Sequence, residues 1–162
     1  GLHFSRHTMM RMQLADIQTA FLTLHCGLGN FRDTDVEDLS KHKLDSEQLS
    51  VNEECCNIVN AAKERGSRVL AVGTTVQKAL ETVAGPDFRI KPYDGWTNRF
   101  IFPPYDFKIA TDMLVNFHLP YSTLIMLTAA FGGYEETMHA YEVALKENYR
   151  FGCYGDCMLI TD

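Results

Sequence analysis

The chain has 162 residues, 46% of them hydrophobic, enough for one domain with a core of its own. Charged residues make up 22% and form no long block of one sign, which excludes wholesale disorder. A formal net charge of −6 argues against a general nucleic-acid coat, although Arg89, Lys91, Arg99 and Lys108 form a loose basic group near the middle.

No stretch approaches the roughly 18–20 apolar residues of a membrane span, and no secretory signal is expected. Gly1-Leu2-His3-Phe4 reads as the interior of a longer protein, so the chain is expected to be a fragment or processed piece. The five cysteines are odd in number and lack CxxC spacing, so free thiols and a cytoplasmic setting are expected. Cys153 and Cys157, with histidines from elsewhere, are the alternative as metal ligands.

In chain order, Ser5 opens a helix over Arg6–Leu14, and Ile17–Leu24 reads as a β-branched and aromatic strand. His25-Cys26-Gly27-Leu28-Gly29-Asn30 ends that strand in a glycine turn. The polar stretch 32–48 is too long for a plain connection and is expected to be functional or disordered. Asn52 is the N-cap of a helix carrying Ile58, Val59, Ala61 and Ala62, with Glu53 and Glu54 on its dipole and Gly66 as its stop. Val69–Val72 is a buried parallel-type strand that turns through Gly73-Thr74-Thr75 into a helix over Val76–Val83. Gly85-Pro86 is a turn, and short aromatic strands are expected between Phe88 and Lys108. Helices follow over Thr123–Phe131 and Glu135–Tyr149, the second with Met138, Tyr141, Ala144 and Leu145 on one face, and Tyr154–Ile160 closes as a strand. Alternating strands and helices imply an α/β fold with a mixed, partly parallel sheet.

Several positions suit chemistry. In Val115–Leu127, Pro120 fixes its own φ and drives Leu119 from helical geometry, while Ser122 or Thr123 can cap the next helix. His118 is thus held on a rigid strand-to-helix corner, suited equally to a structural or a catalytic imidazole. Gly73-Thr74-Thr75 offers backbone N–H groups at a helix start to a phosphate or carboxylate, or is an ordinary cap. His25 lies at a strand end beside Gly27 and Gly29, where ligands gather in α/β sheets. Asp156, after Tyr154-Gly155, can bind a ribose hydroxyl, orient an imidazole or serve as a turn residue. Ser46 and Glu47 form another polar cluster at the start of a strand.

These segments occur in one order: GLHF at 1–4, TLHCGLGNF at 23–31, SE at 46–47, AVGTT at 71–75, NFHLPYSTL at 116–124, YRF at 149–151 and YGDCMLI at 154–160. The series resembles the S-adenosylmethionine:tRNA ribosyltransferase-isomerase (QueA) family of queuosine biosynthesis nearly end to end. The resemblance implies the C-terminal portion of a barrel-like α/β domain, without the family's inserted small β-barrel. It implies transfer and isomerisation of the ribosyl group of S-adenosylmethionine onto 7-aminomethyl-7-deazaguanine in tRNA, giving epoxyqueuosine and releasing adenine and methionine. S-adenosylmethionine is then a co-substrate, with no further cofactor or metal, and tRNA is the partner.

That chemistry needs a base for the carbon beside the sulfonium, an acid for departing adenine and an anion site for the methionine carboxylate. The expected catalytic residues are His118 or His25 for proton transfer and Asp156 for orientation or a ribose contact. Gly73, Thr74, Thr75, Gly27, Gly29, Asn116, Ser122, Thr123 and Tyr154 are the expected substrate contacts, with Gly73-Thr74-Thr75 as the anion site. The chain departs from the family pattern at Val76-Gln77-Lys78 (usually Ser-Val-Arg), Asp45, Asn98, Pro104, Tyr134 and Gly152-Cys153. A divergent, non-catalytic nucleoside- or S-adenosylmethionine-binding homologue is therefore the alternative, and a metal-dependent hydrolase a more distant one.

Overall fold

The computed structural model describes residues 4–31 and 38–161. Helix α1 (Arg6–Leu14) starts where Ser5 caps it, the hydroxyl accepting from Thr8 N at 3.1 Å, but none of its residues is buried. Only Thr23–His25 of the expected first strand is paired, as β1. Residues 17–22 make no ladder, and Ile17 and Phe21 stand exposed; β-propensity without a partner strand does not make a strand. Of the polar stretch, residues 32–37 lie outside the described residues, a 3-10 turn spans Leu39–Lys41, and β2 (Glu47–Val51) begins at its end.

Helix α2 (Glu53–Glu64) begins at Asn52, whose Oδ1 accepts from Cys55 N at 2.8 Å, and closes at Gly66 with φ +66°. Strand β3 (Leu70–Val72) leads through Gly73 into α3 (Thr74–Val83), which starts two residues earlier than the sequence suggests. Between Phe88 and Lys108 there is one strand, β4 (Tyr93–Thr97), not several. The other aromatics pack ring on ring instead, Tyr105 tilted on Phe107 and Phe107 edge to face with Phe131. Strand β5 (Asp112–Asn116) is followed by α4 (Thr123–Gly132) and α5 (Tyr134–Lys146). Helix α5 ends before Asn148, whose φ of +59° and the Tyr149 N bond to Ala144 O terminate it; Leu145 is exposed rather than buried. Strand β6 (Cys157–Ile160) starts later than expected, because residues 150–156 form a turn.

Among the described residues the strands form two three-stranded sheets, β1-β2-β4 and β3-β5-β6. The first is antiparallel throughout; in the second, β3 and β5 are parallel and β6 runs antiparallel. Leu49, Val51, Ala71, Met113 and Val115 from both sheets share one core with Leu80 of α3 and Leu127 of α4. No residue of α3 is exposed, including its polar series Thr74, Gln77, Lys78 and Glu81 at i, i+3, i+4 and i+7. Among the described residues the wholly buried Gln77 amide finds no partner, so the burial of this polar face rests on those of its groups that are bonded. Glu81 is: Oε1 accepts from Lys108 N (2.9 Å) and Ile109 N (3.2 Å), and Oε2 from Tyr105 OH (3.2 Å). One carboxylate thereby fixes the segment leading into β5.

At the opposite edge Arg68 pairs with the buried Asp112, and that hydrogen bonding holds the Asp112 carboxyl below its ordinary range. No helix among the described residues is long and apolar enough to cross a membrane. The Glu81 latch predicts that Glu81→Met, which strands two backbone N–H groups, destabilises the protein by about 3 kcal/mol. Urea unfolding checks this, and a loss below about 1 kcal/mol contradicts it.

Candidate active site at the ends of the parallel strands

Strands β3 and β5 point the same way, and each is followed by a helix, so the N-termini of α3 and α4 meet beyond their carboxyl ends. That is where open α/β sheets present ligands. A cleft of about 300 Å³, its open mouth included, lies there; Thr74, Thr75, Lys78, Arg99, Phe100 and Thr123 are among its walls.

The two helices start differently. Gly73 occupies the N-cap of α3 at φ +97°, a conformation L side chains rarely adopt, and supplies no side-chain cap. Neither Thr74 nor Thr75 caps; they are the first helical residues. Gly73 N itself donates to Leu114 O at 2.8 Å, tying this turn to β5. Helix α4 has a conventional cap: Ser122 Oγ accepts from Ile125 N at 3.3 Å and donates to Leu119 O at 2.8 Å. Tyr121, at φ +60°, completes the corner expected from Pro120. Thr123 is 5% exposed, and its Oγ1 is buried without a partner among the described residues.

Lys78 Nζ meets Glu47 Oε2 at 2.7 Å, with side chains 7% and 3% exposed. Glu47 Oε1 accepts from Gly27 N at 2.8 Å. Glu47 is inward-facing like Leu49 and Val51, which share its period-two face of β2. The end of the antiparallel sheet is thus bound to the cleft by a buried ion pair. Burial, then the nearby Glu47 carboxylate, pushes the Cys26 thiol up, against the lowering effect of Lys78.

The other expected site residues are spread around this centre. His25 pairs with Gln48, which pairs with Trp96, so the three share one cross-strand row. Thr23, His25, Gln48 and Ser50 are exposed and alternate with the inward Leu24, Glu47 and Leu49, which puts that row on the outer face. Gly29 sits against Asp45, whose Oδ2 would lie 2.7 Å from an added Cβ. Asn116 Nδ2 reaches the carbonyls of Gly155 and Asp156, each at 3.4 Å. Asp156 Oδ2 accepts from Arg150 N at 2.8 Å, fixing the 150–156 turn. Tyr154 is 90% exposed at its tip.

His118 is held on its corner, where its backbone N donates to Tyr141 OH at 2.8 Å. Neither His118 nor His25 lines the cleft. The His118 Nε2 is buried without a partner among the described residues, and desolvation pushes the imidazole down to about 4. Glu47, Lys78 and Arg99 are the residues whose placement local sequence does not convey; the one hint is a glutamate at an inward position of an alternating strand. Among the described residues, no group of three His, Cys, Asp or Glu side chains could hold a metal.

The depressed His118 has a consequence for stability. Below 6.5 the unfolded chain takes up a proton that the folded chain refuses until about 4. Stability is therefore level above that window and falls as pH drops through it, by about 3 kcal/mol in all. His118→Leu is expected to flatten the curve between pH 6.5 and 4 relative to the parent; parallel curves in chemical unfolding contradict the assignment.

Comparison with known proteins places this geometry in context. The chain is 62% identical over 162 residues to an S-adenosylmethionine:tRNA ribosyltransferase-isomerase of Phocaeicola vulgatus, covering 46% of that protein. It is 48% identical over 160 residues to the protein so named in Clostridium kluyveri, covering 47% of it. The chain thus spans about half the length of the curated relatives it matches. A crystal structure of an S-adenosylmethionine tRNA ribosyltransferase from Thermotoga maritima superposes with a TM-score of 0.80 at 38% identity, over 98% of this chain and 50% of that one. A family model described as queuosine biosynthesis protein matches residues 1–160, and with the shared fold and 62% identity over the whole chain, this chain belongs to the queuosine biosynthesis protein family.

Proposed function

We propose that residues 1–162 form one α/β domain, the C-terminal part of a longer two-domain, cytoplasmic tRNA-modifying enzyme. The reaction is transfer and isomerisation of the ribosyl group of S-adenosylmethionine onto 7-aminomethyl-7-deazaguanine in tRNA, with release of adenine and methionine. The observation that carries this reading is 62% identity along the whole chain to a protein named for that activity. A cleft at paired helix N-termini, joined by Glu47–Lys78 to a sheet end that carries an exposed histidine, is the geometry it needs.

The roles divide between the sheet end and the cleft. The carbon beside the sulfonium must lose a proton, and departing adenine must gain one. His25 is our assignment for proton transfer, because its imidazole is exposed on the outer face. Trp96, 65% exposed in the same row, offers an aromatic plane on which a purine or deazapurine can stack. His118 is assigned to the wall of the site: an imidazole depressed to about 4 is a weak base near neutrality. Asp156, with Asn116, orients the turn carrying Tyr154, which is free to meet substrate. Gly27 holds Glu47 in place, and Gly29 lets the chain pass close to Asp45.

The test is adenine release from S-adenosylmethionine by the full-length parent protein, with tRNA carrying 7-aminomethyl-7-deazaguanine or guanine at the target position. Release is expected only with the modified tRNA. His25→Ala should lower kcat about 100-fold or more, while His118→Ala stays within about threefold at neutral pH. Full turnover by His25→Ala removes its assignment, and S-adenosylmethionine binding without any adenine release favours a non-catalytic homologue.

A further inference from the structure

We propose that the cleft between α3 and α4 is an oxyanion subsite, in which Thr123 Oγ1, Lys78 and the first-turn amides of α3 together grip a carboxylate or phosphate group of a substrate. Which substrate supplies the group rests on the function proposed above; the site itself rests on the geometry.

Three observations converge. Helix α3 begins on a glycine, so among the described residues no side chain satisfies the N–H groups of its first turn, which lies at the cleft where Thr74 and Thr75 line it. From the other wall, Thr123 brings a hydroxyl that is buried yet unbonded among the described residues. Thr82 and Thr128 return their hydroxyls to the preceding turn, to Lys78 O and Leu124 O, each at 2.8 Å, whereas Thr137 of α5 shares the unbonded state of Thr123 among the described residues but does not line the cleft. Thr123, first in its helix, has no preceding helical turn to use. An orphaned hydroxyl has a physical rationale when a ligand completes it.

The third observation is charge. Among the described residues the cleft wall carries two cations, Lys78 and Arg99, and no carboxylate. Lys78 directs one bond to Glu47 and retains further donors, an ammonium having three. Arg99 Nη1 already reaches Tyr105 OH at 3.1 Å, which holds its guanidinium beside the rim. The remaining walls, Leu44, Phe100, Leu124 and Leu127 among them, are apolar and lower the local dielectric around these donors. Two uncapped or partly capped helix starts add partial positive charge from opposite sides.

The decisive variant is Thr123→Val in the full-length protein, which removes an unbonded buried hydroxyl and keeps the side chain's shape. A purely structural threonine would lose nothing on ligand binding. The proposal predicts a Tm no lower than the parent's, together with roughly tenfold weaker binding of the anionic ligand. Calorimetry with S-adenosylmethionine and its decarboxylated analogue, and titration with inorganic phosphate and tRNA, separate the two sources. If the methionine carboxylate is held, the parent prefers S-adenosylmethionine over the decarboxylated analogue and Thr123→Val erases the preference. If a tRNA phosphate is held, phosphate and tRNA affinities fall and that preference is unchanged. Thr123→Ser, which restores the hydroxyl, should restore binding in either case. Unchanged affinities for all four probes overturn the proposal, as does weakened binding that Thr123→Ser fails to rescue. Absence of adenine release by the parent would count against the proposed reaction alone, because these readouts are of binding.

Discussion

The Glu47–Lys78 ion pair is the constraint on which the arrangement depends. It is buried on both sides and joins the antiparallel sheet to the helix that follows β3. A buried charge pair is costly to form and costlier to break, since either partner left alone is an unsolvated charge. The pair is completed by Gly27 N, which occupies the second carboxylate oxygen. The end of β1, the start of β2 and the first turns of α3 are therefore held in one register, and the cleft takes its shape from them.

Helix α3 gains from this a role unlike that of an ordinary amphipathic helix. Ala79 and Leu80 bury its apolar side, while Lys78 and Glu81 pin its polar side to two different segments. Its N-terminus is left without a side-chain cap at the point where α4 also starts. The result is a rigid helix whose open end faces the cleft, with anchoring contacts further along. Such an arrangement places donors without requiring them to reorganise on binding.

Local signals were legible in the sequence, and long-range ones were not. Ser5, Asn52 and Ser122 cap the helices they precede, and Gly66 ends α2, because capping is decided within three or four residues. The corner around His118 follows in the same way from Pro120 and Ser122. By contrast, Thr74, Gln77, Lys78 and Glu81 have the spacing of a solvated helix face, and only tertiary packing turns that face inward. Strand propensity over 17–22 and 98–108 was likewise overridden, since a ladder requires a partner in register. The site shared this split. Gly73, Thr74, Thr75 and Thr123 were identifiable as a helix-start cluster, whereas Lys78, a departure from the family pattern in sequence, proves to keep a cation on Glu47. His25 and His118 look alike in sequence and differ in setting: one is exposed on a sheet face, the other desolvated against Tyr141.

The central claim, that one buried ion pair organises the cleft, is tested most directly by a double-mutant cycle on Glu47→Gln and Lys78→Met in the full-length protein. Unfolding free energy and S-adenosylmethionine affinity are the two readouts. The account predicts that each single change costs about 3 kcal/mol or more in stability and that the double variant recovers a large part of it. All three variants should bind S-adenosylmethionine more weakly than the parent. Additive stability effects, or undiminished affinity in the double variant, would contradict it.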